Sequence, residues 1–366
     1  MINRVILLSI LLGLMVGCST KKEKLVLNQS FESFPEVISL KGEGILLDED
    51  QVLLRYPFRV RLYGDFIFIV DMHNGEEFFH IYEKESFRHV ASFGRRGEGP
   101  QEMLQGQNLY VESLDSIWTL DPIKRQIIRW SFFPKTDSVS LSEVVQLDKQ
   151  TLIEARDFTQ YNDSTWLLPD LSGESRVCSI GKDGTVVGKI GYIPTTRTVR
   201  SNSLSPLAEA WNAYVHYCPQ NQVLAVATQL GDVMEIYNLE SGEHRIVYGP
   251  QGEPVYRVTS EGYAIPLGIM GYSDVQITSR YIYAVYHGTT FKEIMANPAN
   301  REDGGRLIRV FGLDGTPIRC YQLDHAVYGI HVDEVHNVIW ATDVNSEEQL
   351  VRFPLSSSFE QVADKL

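Results

Sequence analysis

Seven polar residues sit between apolar, β-rich runs and carry groups that can bind: Asp71, His73, Arg95, Arg96, Asp121, His287 and Asp343. The arginines offer planar forks of N–H donors that match carboxylates. The histidines and aspartates add hydrogen-bond partners, and the recurrent aspartates suggest calcium, which takes roughly six to eight oxygens. No catalytic residue is assigned, because no CxxC, HExxH, EF-hand or Gly-x-Ser-x-Gly pattern occurs. Each of the seven also reads as a turn cap or a solvated rim residue.

What could gather them is a repeat. Short runs rich in Ile, Val, Trp and Tyr begin at Asp65 (DFIFIVD), Asp115 (DSIWTLD), Asp163 (DSTWLLP), Gln222 (QVLAVAT), Arg280 (RYIYAVYH) and Asn337 (NVIWATD), recurring every 48 to 59 residues. Each is followed by a further strand candidate: 78–82, 126–130, 176–180, 233–237, 307–311 and 349–353. Asp-Gly turns at 183–184 and 314–315 then introduce fourth strands over 185–190 and 317–321, a strong hairpin signal. Four strands repeated six times, without helical periodicity, predict an all-β, six-bladed β-propeller.

The last copy lacks a convincing fourth strand after Phe353, so the segment around Glu36 to Leu47 is expected to supply it and close the ring. Two insertions stand out: 195–213, where Ser205-Pro206 could cap a short helix, and 287–305. Because blade strands alternate in direction, the loops after second strands and the links between blades emerge on one face. That places the seven residues around a common mouth.

Arg95 and Arg96 lie in Phe93-Gly94-Arg95-Arg96-Gly97-Glu98-Gly99-Pro100, which has an echo at Tyr248-Gly249-Pro250-Gln251-Gly252-Glu253. Recurrence between blades favours a structural turn over a phosphate cradle, since no helix follows to supply a dipole.

The formal charge is −14, and −15 once the first 17 residues are removed, which excludes general nucleic-acid binding and avid adhesion to anionic lipid. Those 17 residues carry Arg4 and an apolar run from Val5 to Val16, too short for an ordinary membrane span and fit for a secretory signal. Leu14-Met15-Val16-Gly17-Cys18 resembles a bacterial lipobox, which implies acylation of Cys18 and a membrane contact made through that anchor alone. Ser19 in place of Asp points to outer-membrane sorting, and the absence of an acidic run in 20–24 to a periplasm-facing domain. The expected organisation is a signal peptide at 1–17, a lipidated tether at 18–35 and one propeller domain at 36–366. Cys178, Cys218 and Cys320 lie in apolar runs and read as buried thiols.

The lipobox, the six repeats and the segment 93–100 together resemble the TolB-like six-bladed propeller lipoproteins across the mature chain. The resemblance implies the fold and the envelope location without specifying an activity. The function expected is a lipid-anchored binding or scaffolding module recognising a protein or a small polar ligand, with no obligatory cofactor. The alternative is a calcium-dependent hydrolase or lyase with its site on the central axis.

Overall fold

The computed structural model describes residues 26–48, 52–148, 155–198, 204–296 and 302–355; the signal segment and Cys18 lie outside the described residues. Six antiparallel sheets follow one another as blades. Blade 1 runs from the axis outward through Pro57–Tyr63, Phe66–Asp71, Glu77–Glu83 and His89–Arg95. Blade 2 uses Asn108–Ser113, Ser116–Asp121, Gln126–Phe133 and Ser138–Gln146. Blade 3 uses Thr159–Asn162, Thr165–Pro169, Val177–Gly181 and Val186–Ile190. Blade 4 uses Ala213–Cys218, Val223–Thr228, Val233–Asn238 and His244–Tyr248. Blade 5 uses Tyr272–Ile277, Tyr281–Tyr286, Gly305–Gly312 and Pro317–Val327. Blade 6 has Ile330–Asp333, Val338–Thr342 and Leu350–Pro354, and Glu43–Ile45 pairs antiparallel with the last of these to complete it.

The repeated runs of the sequence are thus the second strands. They lie between sheets on both faces, so Ile67, Phe68, Ile69 and Val70 are all fully buried and the run reads as continuous apolar rather than alternating. Aromatic contacts join neighbouring blades, as where Trp118 meets Trp166 edge-on at 5.0 Å and Phe66 meets Phe132 at 5.0 Å. The three cysteines of the domain are buried free thiols. Burial, and after it the nearby Asp170 carboxylate, pushes the Cys178 thiol up to about 11.

The tether expected over 18–35 is shorter than its sequence suggested. Val26–Ser30 adds a fifth, parallel strand to blade 4, and Val37–Leu40 does the same on blade 5. Between them Phe31 and Phe34 pack against each other and against Phe311. The outer strands of these blades would otherwise present unpaired backbone groups, and this polar-looking segment covers them. Both insertions carry helices: Leu204–Ala210, and Phe291–Ala296, which opens with Thr290 and Glu293 bonded reciprocally as a capping box.

The axis is filled by charge. Arg59 and Arg61 of blade 1 reach across to Asp157, just before blade 3, and to Asp274 of blade 5: Arg59 to Asp157 is 3.1 Å and to Asp274 3.7 Å, while Arg61 grips Asp274 with both terminal nitrogens at 3.1 and 3.2 Å. Asn108 of blade 2 and the Val215 amide of blade 4 donate to Asp157, and the Ile330 amide of blade 6 donates to Asp274. Every blade therefore contributes to one buried, hydrogen-bonded cluster. Burial alone would raise Asp274, but the Arg61 and Arg59 guanidiniums outweigh it and hold the group below the usual carboxylate range.

Lower on the axis, His216 Nδ1 accepts the Ile277 amide at 3.2 Å and His331 Nδ1 accepts the Leu62 amide at 3.4 Å. Burial, and then Arg61, lowers His216 to about 3 and His331 to about 4; Asp274 opposes this at both sites, with Asp333 also opposing and Lys84 reinforcing it at His331, and His331 and then Arg59 reinforcing it at His216. Both rings are neutral in the fold and protonate near pH 6.5 when unfolded. Their stabilisation is complete above about pH 6.5 and is lost as pH falls towards 4, by about 2–3 kcal/mol for each ring. Urea unfolding between pH 7 and pH 4 should show this loss. Replacing both by Asn, which keeps an acceptor for the amide, should flatten the slope; an unchanged slope in the double variant would exclude these rings as its source.

Candidate functional site

The structure sorts the seven sequence candidates by what their side chains hold. Asp71 and Asp121 end second strands and Asp343 directly follows one, as expected, but they are buried, and their carboxylates are turned to backbone amides of the adjoining loops and links. Asp71 accepts the amides of Arg55, Tyr56 and His73. Asp121 accepts those of Leu104, Ile123 and Lys124. Asp343 accepts the amide and the side-chain nitrogen of Asn345. Asp170 fills the same place in blade 3: burial pushes it upward, yet donors from Ser172 and Ser175 hold it below the usual range. The three carboxylates therefore do not converge as calcium ligands, and among the described residues no three His, Cys, Asp or Glu side chains form a metal-holding group.

Arg96 likewise does not present its fork to the mouth. It donates to the carbonyls of Met72 and Asn74 and lies over the Phe78 ring at 4.2 Å. Arg95 is exposed, with Glu102 at 3.8 Å. Their segment is the expected turn. Gly94 has φ +72°, and a Cβ there would meet the Phe79 ring at 2.6 Å. Lys124 of blade 2 clamps the same turn through the carbonyls of Gly99 and Glu102. In the echo, Gly249 and Gly252 bond the backbone of Asp232, and Glu253 caps Thr195 and Thr196.

On the face where these loops emerge, a cleft of about 490 Å³ opens at the insertion of blade 5 and its link to blade 6, lined in part by His287, Thr289, Glu302, Asp303, Arg306 and Tyr328. Of the seven candidates only His287 lines it. Tyr328 packs on Phe58 at 4.6 Å and meets His287 edge-on at 5.6 Å. Tyr56 donates to Asp303 at 3.4 Å and stacks on His73 at 4.6 Å. Asn345 brackets Asp303 from both sides, accepting its amide and donating to its carbonyl. Asp71 and Asp343 therefore act behind the cleft, the first by fixing Tyr56 and His73, the second by fixing Asn345. Arg306 forks onto Glu302 at 2.9 and 2.7 Å.

The cleft residues Asp303, Arg306 and Tyr328, and Tyr56 that supports Asp303, carried no sequence signal beyond lying in an insertion or a link. Chemically, carboxylates outnumber guanidiniums here, so the cleft suits hydroxyl-rich or cationic groups rather than the acidic ligand that Arg95 and Arg96 would have chosen.

Replacing Asp121 with Ala leaves three amides without their acceptor and should cost about 2–3 kcal/mol in urea unfolding. Arg95→Ala should change stability by less than about 0.5 kcal/mol. Equal effects from the two substitutions would contradict this division between cap and surface.

No curated protein matches the sequence. Among solved structures, a protein described as exported, from Bacteroides fragilis, superposes with a TM-score of 0.54 at 12% identity over 90% of this chain and 98% of that one. An auxiliary nutrient binding protein from Bacteroides ovatus gives a TM-score of 0.51 at 10% identity, covering 85% of this chain and 76% of the other. At such identities the likeness is one of fold. The sequence profile of the family described as TolB-like 6-blade propeller-like matches residues 33–335, and the chain belongs to that family.

Proposed function

We propose that this chain is an exported, lipid-anchored binding protein that takes a small polar ligand, hydroxyl-rich or cationic, into the cleft at the insertion of blade 5. The observation that carries the reading is the cleft itself: its volume of about 490 Å³ falls within the range of roughly 300–1,000 Å³ typical of small-molecule sites. Its polar groups are held in place from behind by Asp71 and Asp343. The description of the B. ovatus protein as nutrient-binding agrees with this reading. A catalytic metal on the axis is disfavoured because the axial carboxylates are already paired with Arg59 and Arg61.

The path of the N-terminal strand supports the anchor. Val26–Ser30 runs parallel to His244–Tyr248, with Val26 beside His244 and Ser30 beside Tyr248. His244 follows the turn between third and fourth strands, on the face opposite the cleft. The eight residues from Cys18 to Val26 span at most about 26–29 Å. A membrane reached through Cys18 would lie beneath that opposite face and leave the cleft open, in the outer-membrane, periplasm-facing arrangement that Ser19 and residues 20–24 suggest.

Thermal-shift titration of the protein with a panel of oligosaccharides and polyamines should reveal a saturable stabiliser. Asp303→Asn and Tyr328→Ala should weaken it tenfold or more, while Thr185→Ala, on the far face, should not. Ligands that bind all of these variants alike, or no binder at all, would sink the cleft as the site. Independently, Cys18→Ser should move the protein from the membrane to the soluble fraction; a protein still membrane-bound would remove the lipid anchor.

A further inference from the structure

At the end of the axis away from the cleft, the inner strands enclose a cavity of about 110 Å³ to which every blade contributes, through Arg61, Tyr110, Thr159, His216, Gln276 and His331. Such a volume fits a few waters or one small ion. Four of these side chains share one arrangement, each accepting a backbone amide of the following blade. Thr159 Oγ1 accepts Tyr217 at 3.1 Å, His216 Nδ1 accepts Ile277 at 3.2 Å, Gln276 Oε1 accepts Val332 at 2.7 Å, and His331 Nδ1 accepts Leu62 at 3.4 Å.

That arrangement decides what each can offer inward. An imidazole whose Nδ1 accepts keeps its proton on Nε2; a carboxamide whose oxygen accepts has its NH₂ to give; a hydroxyl that accepts still has its hydrogen. The wall is therefore rich in donors. Arg61 adds a permanent positive charge, and none of the described lining residues is acidic. The nearby carboxylates are engaged above: Asp274 accepts from Arg61, Val275 and Ile330, and Asp157 from Arg59, Asn108 and Val215. A cation would meet donors and a guanidinium, whereas an anion would meet partners.

We propose that this axial cavity is a binding site for one small monovalent anion, a halide or a formate-sized carboxylate. The anion accepts hydrogen bonds from the inner strands of several blades at once, beside the Arg61 guanidinium, whose charge it shares with Asp274. Because those donors belong to different blades, occupancy ties the ring together from its centre, and the anion stabilises the folded state by mass action.

The test is urea unfolding of the full chain at constant sodium concentration and ionic strength, with sodium formate or bromide replacing sodium gluconate, whose anion is too large for the cavity. The expected result is a stabilisation that saturates with formate and with bromide. Gln276→Glu keeps an oxygen for the Val332 amide but sets a negative charge in the wall, and should weaken formate tenfold or more. Should that variant fail to fold, His331→Asn keeps an acceptor for Leu62 while its shorter NH₂ falls short of the place the imidazole Nε2 donor held, and should weaken formate at least threefold. Absence of saturable stabilisation in the unaltered protein, or an unchanged formate affinity in the variants that fold, overturns the proposal.

Discussion

Two guanidiniums enclosed at the centre of the ring constrain the rest of this propeller. Arg59 is 1% exposed and cannot be left without counter-charges, because an uncompensated ion in such a place costs several kcal/mol. Its partners, Asp157 and Asp274, come from opposite parts of the chain and are themselves almost wholly enclosed. Apolar packing between blades has no fixed direction and tolerates small slides. The charge cluster does not, since shifting any one inner strand breaks a contact made by at least two blades. Related pairs lock the interfaces further out. Arg176 of blade 3 meets Glu235 of blade 4 at 2.5 Å, with His244 and Tyr237 against the same carboxylate. Arg309 of blade 5 meets Asp232 of blade 4 at 2.5 Å, with Tyr272 and Tyr286 around it and Phe31 and Phe34 over it.

Filling the axis with internal ion pairs has a consequence for function. A ligand for this face cannot be held by axial carboxylates, so its binding groups must come from loops at the rim. In the binding role proposed, the insertion in blade 5 would supply them, since it brings Thr289, Glu302, Asp303 and Arg306 to a link already lined by Tyr328. The recurrent aspartates at second-strand ends support that rim from behind, with their carboxylates turned to backbone amides. Each satisfies amides of the loop it starts, and Asp71 also those of the link before blade 1, which fixes the backbone on which Tyr56, His73 and Asn345 stand. Scaffold and site thus use the same polar position for different ends.

This division explains what could be read from the chain. Second and third strands are sandwiched between blades, so they are apolar on both faces and repeat visibly; DFIFIVD and NVIWATD are the same solution to the same packing problem. The inner strands mix polar with apolar residues, as in Thr159–Asn162 and Ile330–Asp333, because they face the axis and not a neighbouring sheet. Their register emerges only when six blades are assembled, which is why Arg61, His216, Gln276 and His331 carried no pattern. Asp71, Asp121 and Asp343 were legible as a recurrent position but not as caps, since a carboxylate that accepts its own loop amides and one that binds a ligand look alike in sequence. The arginines of the 93–100 turn pointed towards an acidic ligand because their charge was visible and the carbonyls of Met72 and Asn74 that engage Arg96 were not.

The order in which the N-terminal segment meets the ring bears on how an anchored protein would carry load. From its start it joins blade 4, then blade 5, and only afterwards contributes Glu43–Ile45 as the closing strand of blade 6. A pull from the membrane side acts first on Val26–Ser30, whose removal uncovers one sheet edge and opens no blade. Phe31 and Phe34, wedged against Phe311 and Arg309, come next. The strand whose loss would open the ring lies behind both, so force at the proposed anchor would be borne by edge pairing before it reached the closure on which the axial charge cluster relies.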